Sequence, residues 1–232
     1  MIKIILSGSS GRMGQAIVNS VKDSDEFQIA FGIQRKHLKK IDFNVYKDIF
    51  EAKENGDVIV DYSTPQCLNN LLNYAVTRKL PIILATTGYS EEELEEIGMA
   101  SKKIPVFCSA NMSLGITGLL KAISALSHTL SSGYEIEIIE KHHNKKVDSP
   151  SGTAKLLRDR IYSSFGINTE IKIHSLRSGT NPGEHSIIFS GKDEIIELKH
   201  SSYSQELFAL GTLKAIKFIQ DKPPGLYSME DL

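Results

Sequence analysis

Short apolar runs and longer amphipathic stretches alternate through the first half of the chain. Residues 2–6, 27–33, 57–61, 81–85 and 105–108 are continuous apolar runs rather than alternating ones. Such runs fit strands buried on both faces of a parallel sheet. Between them, residues 13–21, 66–77 and the acidic stretch 91–100 read as helices. This alternation predicts an α/β fold built on a Rossmann-like, doubly wound parallel sheet. Past residue 112 the pattern changes. Residues 114–130 read as one long helix rich in Leu, Ile and Ala, followed by strand candidates at 134–141, 170–176, 185–190 and 194–200. Only one helix, 154–162, interrupts them, and Gly191-Lys-Asp-Glu194 resembles a hairpin turn. Strands clustered in this way suggest a smaller α+β domain with a mixed or antiparallel sheet. Residues 205–219 return to helix, ended by Pro223-Pro-Gly225, and the expected boundary lies near Met112–Ser113.

Composition narrows the function classes. The chain has 232 residues, 41% apolar and 24% charged, with a formal net charge of −1. That balance argues against nucleic-acid binding through bulk charge, although a local basic patch stays open. Cys67 and Cys108 are too few for a disulfide scaffold, and no Cys-x-x-Cys spacing suggests zinc or redox work. No segment approaches the roughly 18 apolar residues of a membrane span. The first strand runs straight into Ser7-Gly8 with no signal-peptide core. The expectation is a cytoplasmic protein with no membrane or nucleic-acid partner and no metal.

Gly8-Ser9-Ser10-Gly11-Arg12-Met13-Gly14 follows the first strand and opens the first helix. Its spacing is G-x-x-G-x-x-G, one residue longer at the front than the usual dinucleotide fingerprint. The physical demands are the same: a tight turn, bare backbone beside a pyrophosphate, and close helix–strand packing. The helix N-terminus adds N–H groups and partial positive charge. A Gly-Lys-Ser/Thr ending is absent, so this is no P-loop. At the end of the second strand a carboxylate would bind a ribose 2′-hydroxyl and repel a 2′-phosphate. Gln34-Arg35-Lys36 stands there instead, which predicts that NADPH is tolerated and even preferred over NADH. The bland alternative is a solvated basic turn.

A second cluster spans Glu140 to Ala154. His142, His143, Lys145, Lys146 and Asp148 crowd a strand end, and Pro150-Ser151-Gly152-Thr153 opens a helix. Small residues at a helix start leave N–H groups open to an anion. Lysines add positive charge, and histidines titrate near neutrality. Adjacent histidines on a strand face opposite sides, which disfavours a shared metal ion. The combination fits proton transfer to a small anionic substrate such as a carboxylate; the alternative is a basic loop before a capped helix.

These residues resemble the dihydrodipicolinate reductase family of bacterial and plant lysine biosynthesis, over essentially the whole chain. Its anchors are Gly8 to Gly14, Asp61-Tyr-Ser-Thr-Pro65, Ala85-Thr-Thr-Gly88, Ser109-Ala-Asn-Met-Ser-Leu-Gly115, the block Glu-x-His-His-x-x-Lys-x-Asp-x-Pro-Ser-Gly-Thr-Ala, Pro182-Gly-Glu-His185 and Phe208-Ala-Leu-Gly211. The resemblance implies NADPH- or NADH-dependent reduction of 4-hydroxy-tetrahydrodipicolinate, a small dicarboxylate, to tetrahydrodipicolinate. It implies a dinucleotide-binding domain in 1–112 and 205–232, a substrate-binding and oligomerisation domain in 113–204, and a homotetramer. By position, His142 is the expected general acid and Lys146 the second proton donor or substrate clamp. His143, Ser151, Gly152 and Thr153 match the carboxylate binders. Gly8, Ser9, Ser10, Gly11, Arg12, Met13, Gln34, Arg35, Ala85, Thr86, Thr87, Ser109, Ala110, Asn111 and Met112 match the cofactor binders. The chain departs from the family pattern at Gln34 (often Glu), at Met112 (commonly Phe) and at Gln205 (usually Arg nearby). His185 and His200 are expected to be structural.

Two rival readings are a dinucleotide-binding sensor with a degenerate site and a semialdehyde dehydrogenase using Cys108 as nucleophile. Retention of His142, Lys146, Ser151 and Thr153 together disfavours the first. The absence of a histidine near Cys108 in sequence weighs against the second.

Overall fold

The computed structural model describes residues 1–34, 42–130, 133–167 and 169–232, and divides into two compact units. The first comprises Met1–Met112 with Gln205–Leu232 and the second Ser113–Ser204. Among the described residues no helix is long and apolar enough to cross a membrane.

In the first unit the chain runs β1 (Ile2–Ser7), α1 (Arg12–Val21), β2 (Phe27–Ile33), β3 (Val45–Tyr46), β4 (Val58–Asp61), α2 (Leu68–Arg78), β5 (Ile82–Leu84), α3 (Glu91–Ser101) and β6 (Pro105–Cys108). Among the described residues seven strands form its sheet in the order β11-β6-β5-β4-β1-β2-β3, all parallel, where β11 is Gly225–Tyr227. Both faces are covered, which explains the unbroken apolar runs. Ile4 and Leu6 point with Val58 and Val60 toward Ile17 of α1, while Ile5 and Ile59 point the other way toward Leu71 and Ala75 of α2. Strand order reverses between β1 and β4, the switch point where open α/β sheets hold ligands.

The second unit contains α4 (Leu114–Ser127), β7 (Glu135–His142), α5 (Gly152–Phe165), β8 (Lys172–Arg177), β9 (Glu184–Ser190) and β10 (Ile195–Ser201). Its sheet is mixed, in the order β10-β9-β7-β8: the β7–β8 pair is parallel and the other two are antiparallel. The parallel pair is joined through α5, as a parallel crossover requires. Ile116, Ile123, Leu157, Ile161, Ile187 and Phe189 form the core beneath the two helices. The chain then returns to the first unit as α6 (Glu206–Ile219).

Three differences from the sequence reading have local causes. β3 and β11 are sheet-edge strands of two and three residues, too short to leave an apolar run. Helix α2 starts at Leu68 rather than 66, because Pro65 opens a 3₁₀ turn over Pro65–Cys67. Strand β7 ends at His142, so the alternation of sides expected for two adjacent histidines on a strand does not extend to His143.

Candidate active site

Two sets of chemistry-bearing residues stand out, one in each unit. In the first unit, the described cofactor candidates cluster at the carboxyl edge of the parallel sheet. The loop from Gly8 to Gly11 follows β1, Gln34 follows β2, Ala85 to Thr87 follow β5, and Ser109 to Met112 follow β6. Arg12 is exposed at the start of α1, Met13 packs partly against the core, and Arg35 lies outside the described residues.

Two glycines set the loop's shape. Gly8 has φ +78°, and a Cβ there would meet the Tyr62 carbonyl oxygen at 2.5 Å. A Cβ on Gly14 would meet the Gly8 carbonyl oxygen at 2.3 Å. The loop is thus folded hard against the following helix and against the chain leaving β4. Among the described residues no side chain caps α1, whose N-cap is Gly11. Its amide end is left for an anionic group. Beside it lies a cavity of about 460 Å³ whose lining includes Gly8, Gly11, Gln34, Tyr62 and Thr64. A bare backbone cradle, an uncapped helix end and a cavity at the switch point together fit a dinucleotide. Gln34 is held in register by its N–H donating to the Tyr46 carbonyl at 2.9 Å, and its Oε1 accepts from Ser10 N–H at 3.4 Å.

Asp61 ends β4 fully buried, and its role was not legible in the sequence. Its Oδ1 accepts from Ser63 N–H at 3.1 Å and from the Ser63 hydroxyl, and its Oδ2 accepts from Thr86 at 2.8 Å and Tyr89 at 3.4 Å. Burial pushes this carboxyl upward, and the surrounding donors pull it back. Thr86 is therefore engaged in holding two loops together, whereas Thr87 is exposed. Ser109 likewise folds its loop, donating to the Asn111 carbonyl at 2.9 Å, and Met112 is buried in the core. The half-buried Cys108 thiol is pushed up by burial, the opposite of what a nucleophilic thiolate needs.

In the second unit, His142 closes β7 and stands 9% exposed. Its Nδ1 lies 2.5 Å from Oε2 of Glu140, a carboxylate with no exposure at all. Arg177 on β8 grips Glu140 with both terminal nitrogens, at 2.8 and 2.6 Å, and the Ser151 amide donates to Oε1 at 3.1 Å. Burial pushes Glu140 upward, but these donors outweigh it and hold its pKa at about 2. Burial also pushes His142 down, with Glu140 working against it.

Ser151 is the N-cap of α5: its Oγ accepts from Ala154 N–H at 3.1 Å and lies 3.0 Å from His185 Nε2. Gly152 is exposed and Thr153 half-buried in the first turn, which contains no acidic residue. Lys146 lies 2.8 Å from Asp148, and the Lys146 amide donates to the His143 carbonyl at 3.1 Å. These contacts hold the residues between strand and helix in a compact turn. His143 is half-buried, and among the described residues its Nδ1 has no hydrogen-bond partner. His185 sits opposite His200 in the β9–β10 register, and its ring meets that of His142 edge to face at 5.2 Å. Burial, reinforced by the charge of His142, pushes His185 down to about 4, so it is neutral at physiological pH. Sequence reasoning missed Arg177 and gave Glu140 and His185 no part here, since strands far apart in the chain bring them together.

Comparison with known proteins agrees over the full length. A family model described as dihydrodipicolinate reductase, N-terminus, matches residues 2–112, and its C-terminal counterpart matches residues 115–232. A 4-hydroxy-tetrahydrodipicolinate reductase of Caldanaerobacter subterraneus subsp. tengcongensis is 44% identical, covering 100% of this chain and 98% of the relative. The enzyme of the same name from Clostridium novyi is also 44% identical with the same coverage. Among solved structures, dipicolinate-bound dihydrodipicolinate reductase from Paenisporosarcina sp. TG-14 superposes with a TM-score of 0.86. That match has 22% identity and covers 100% of this chain and 99% of that one. At that identity the likeness concerns the fold.

Proposed function

From the premise that this chain belongs to the dihydrodipicolinate reductase family, we propose how its residues divide the family's reaction. The reaction reduces 4-hydroxy-tetrahydrodipicolinate to tetrahydrodipicolinate in the diaminopimelate route to lysine, using a nicotinamide cofactor. It replaces a hydroxyl by hydrogen, so the substrate takes up a hydride and a proton and releases water. The bound nicotinamide supplies the hydride. The chain's own residues bind the pyrophosphate at the α1 N-terminus, hold the substrate's carboxylates and deliver the proton.

The observation that carries the assignment is the arrangement around α5. The first turn of α5, with Gly152 and Thr153, contains no acidic residue; Lys146 belongs to the turn that leads into it, and His142 is the last residue of β7, at the start of that turn. Amide donors and an ammonium suit the two carboxylates of the substrate. His143 completes the set from the same turn. His142, protonated, gives up its proton at Nε2, because Nδ1 is committed to Glu140. Water reloads it after each turnover. The outward strands support assembly of the second unit into a homotetramer, since Leu176 on β8 and Ile195 on β10 are 46% and 71% exposed. Light scattering at a particle mass four times that of the chain is the expected result.

A coupled assay with the preceding synthase, pyruvate and aspartate semialdehyde tests the reaction. Oxidation of NADPH or NADH that depends on the synthase product is expected, and its absence with bound cofactor would bring the sensor reading forward. The same assay measures cofactor choice. Gln34 leaves the second strand without a carboxylate, so NADPH is expected to match or exceed NADH in kcat/KM. Gln34→Glu should shift the ratio toward NADH by about tenfold, the equivalent of about 1.4 kcal/mol of repulsion on a 2′-phosphate. A clear NADH preference in the unaltered enzyme, or an unchanged ratio in the variant, would contradict this.

A further inference from the structure

We propose that Glu140 and Arg177 are positioning residues for His142, fixing which of its nitrogens exchanges the proton and tying that nitrogen to the helix end that receives the substrate. The proposal rests on the reading of His142 as the proton donor.

Glu140 and His142 are two residues apart on β7 and so share a face of the strand. Both carboxylate oxygens of Glu140 are in use: one takes Arg177 and the Ser151 amide, the other takes Arg177 and His142. A carboxylate gripped by a guanidinium in this way only accepts hydrogen bonds. The hydrogen between it and His142 therefore stays on Nδ1, and Nε2 becomes the end that gains and loses a proton. Arg177 arrives from β8 directly opposite His142 in the strand register. It also donates to the Asp148 carbonyl at 2.8 Å, holding the far side of the turn that carries Lys146. Through Ser151 the same carboxylate fixes the first residue of α5. One ion pair thus aligns an imidazole, an ammonium-bearing turn and an anion-binding helix end.

Fold stability alone is a weak explanation for this pair. Buried ion pairs often contribute no more than a well-packed apolar pair of the same volume. What an apolar pair could not do is select a tautomer.

The groups acting on His142 come from four elements: Glu140 beside it on β7, Arg177 on β8, His185 on β9, and Lys146, with its partner Asp148, in the turn. His200 lies behind His185 on β10. Among the charged ones, Arg177 and Lys146 oppose protonation of His142 and Glu140 favours it. Removing the Glu140 charge must therefore lower the pH at which His142 titrates.

The test uses the full-length enzyme carrying Glu140→Gln or Arg177→Lys, with His142 followed by NMR titration of its ring signals and turnover followed against pH. Glutamine keeps the shape and loses the charge. The Glu140→Gln variant is expected to lower kcat by about 10- to 100-fold. It should leave NADPH affinity unchanged. It should also move both the His142 midpoint and the high-pH limb of kcat/KM down by about one pH unit or more. Arg177→Lys keeps the cation but loses the fork, so a smaller change in the midpoint and a raised substrate KM are expected. A Glu140→Gln enzyme whose His142 midpoint and pH limb match the wild type would overturn the proposal, whatever happens to kcat. Should Glu140→Gln fail to fold, an Arg177→Lys enzyme with unchanged midpoint, KM and pH limb does the same. The NMR midpoint needs no turnover, so a failure of the acid assignment, seen as full activity in a His142 variant, remains separate from a failure of the coupling.

Discussion

Replacing His142 with glutamine is expected to reduce kcat by about 10²- to 10⁴-fold, the usual worth of a positioned general acid. Affinity for NADPH, titrated by fluorescence, should stay within about twofold, because the Gly8–Gly14 loop belongs to the other unit. The pH dependence follows from the same chemistry. An acid must enter the reaction protonated, so the rate falls as pH rises through its titration midpoint. Burial holds His142 below the ordinary histidine range, with Glu140 partly restoring it. In the free enzyme, kcat/KM should therefore decline on the alkaline side from a midpoint below that range, and the glutamine variant should lose this limb. Near-full turnover in the variant would remove His142 from the chemistry and leave Lys146 as the donor to examine.

A second substitution should act mainly on structure. Alanine at Gly14 would bring its Cβ to 2.3 Å from the Gly8 carbonyl oxygen and 2.8 Å from the Ser9 Cα. All of these neighbours are backbone, so the loop and helix must separate. Overpacking of this kind typically costs about 1–3 kcal/mol, and a rigid backbone neighbour places the expected loss at the upper end. The loop that shifts is the one we propose as the pyrophosphate cradle, so NADPH affinity should fall at least tenfold, the equivalent of about 1.4 kcal/mol of lost binding. Urea unfolding and cofactor titration on the same sample check both effects. Gly118 supplies the control. It lies inside α4, and among the described residues a Cβ there would meet nothing within 4 Å, so alanine should raise stability by up to about 1 kcal/mol. Equal midpoints for the two variants would contradict the close-packing account.

The parallel half of the fold was legible because burial on both faces leaves long apolar runs, as in Phe27–Ile33 and Pro105–Cys108. Edge strands β3 and β11 have neither length nor that pattern, and what identifies them is pairing with β2 and β6. The chemistry divides in the same way. His142, Lys146, Ser151, Gly152 and Thr153 lie close together in the chain and can be read as one block. Arg177 meets Glu140 across 37 residues and His185 meets Ser151 across 34, through sheet register that no local pattern encodes. Asp61 stands in the sequence as the end of the run 57–61 and the start of Asp61-Tyr-Ser-Thr-Pro65, neither of which reveals its partners. Its work of joining the loops after β4 and β5 depends on Thr86 and Tyr89, 25 and 28 residues further on.

The path of the chain also bears on how the protein is made. The parallel sheet is interrupted in sequence by the whole second unit, and α6 and β11 complete it only after residue 205. Until then, the face of Ile4, Leu6, Val58 and Ile83 lacks Ala215, Ile216 and Ile219, which share its core. A nascent chain emerging from the ribosome therefore carries an uncovered apolar face throughout synthesis of the intervening residues. At about 5–20 residues per second this interval lasts several seconds, long enough for chaperone capture or self-association. A fragment stopped at residue 112 should be recovered as aggregate, and supplying residues 205–232 on a short linker should restore its solubility.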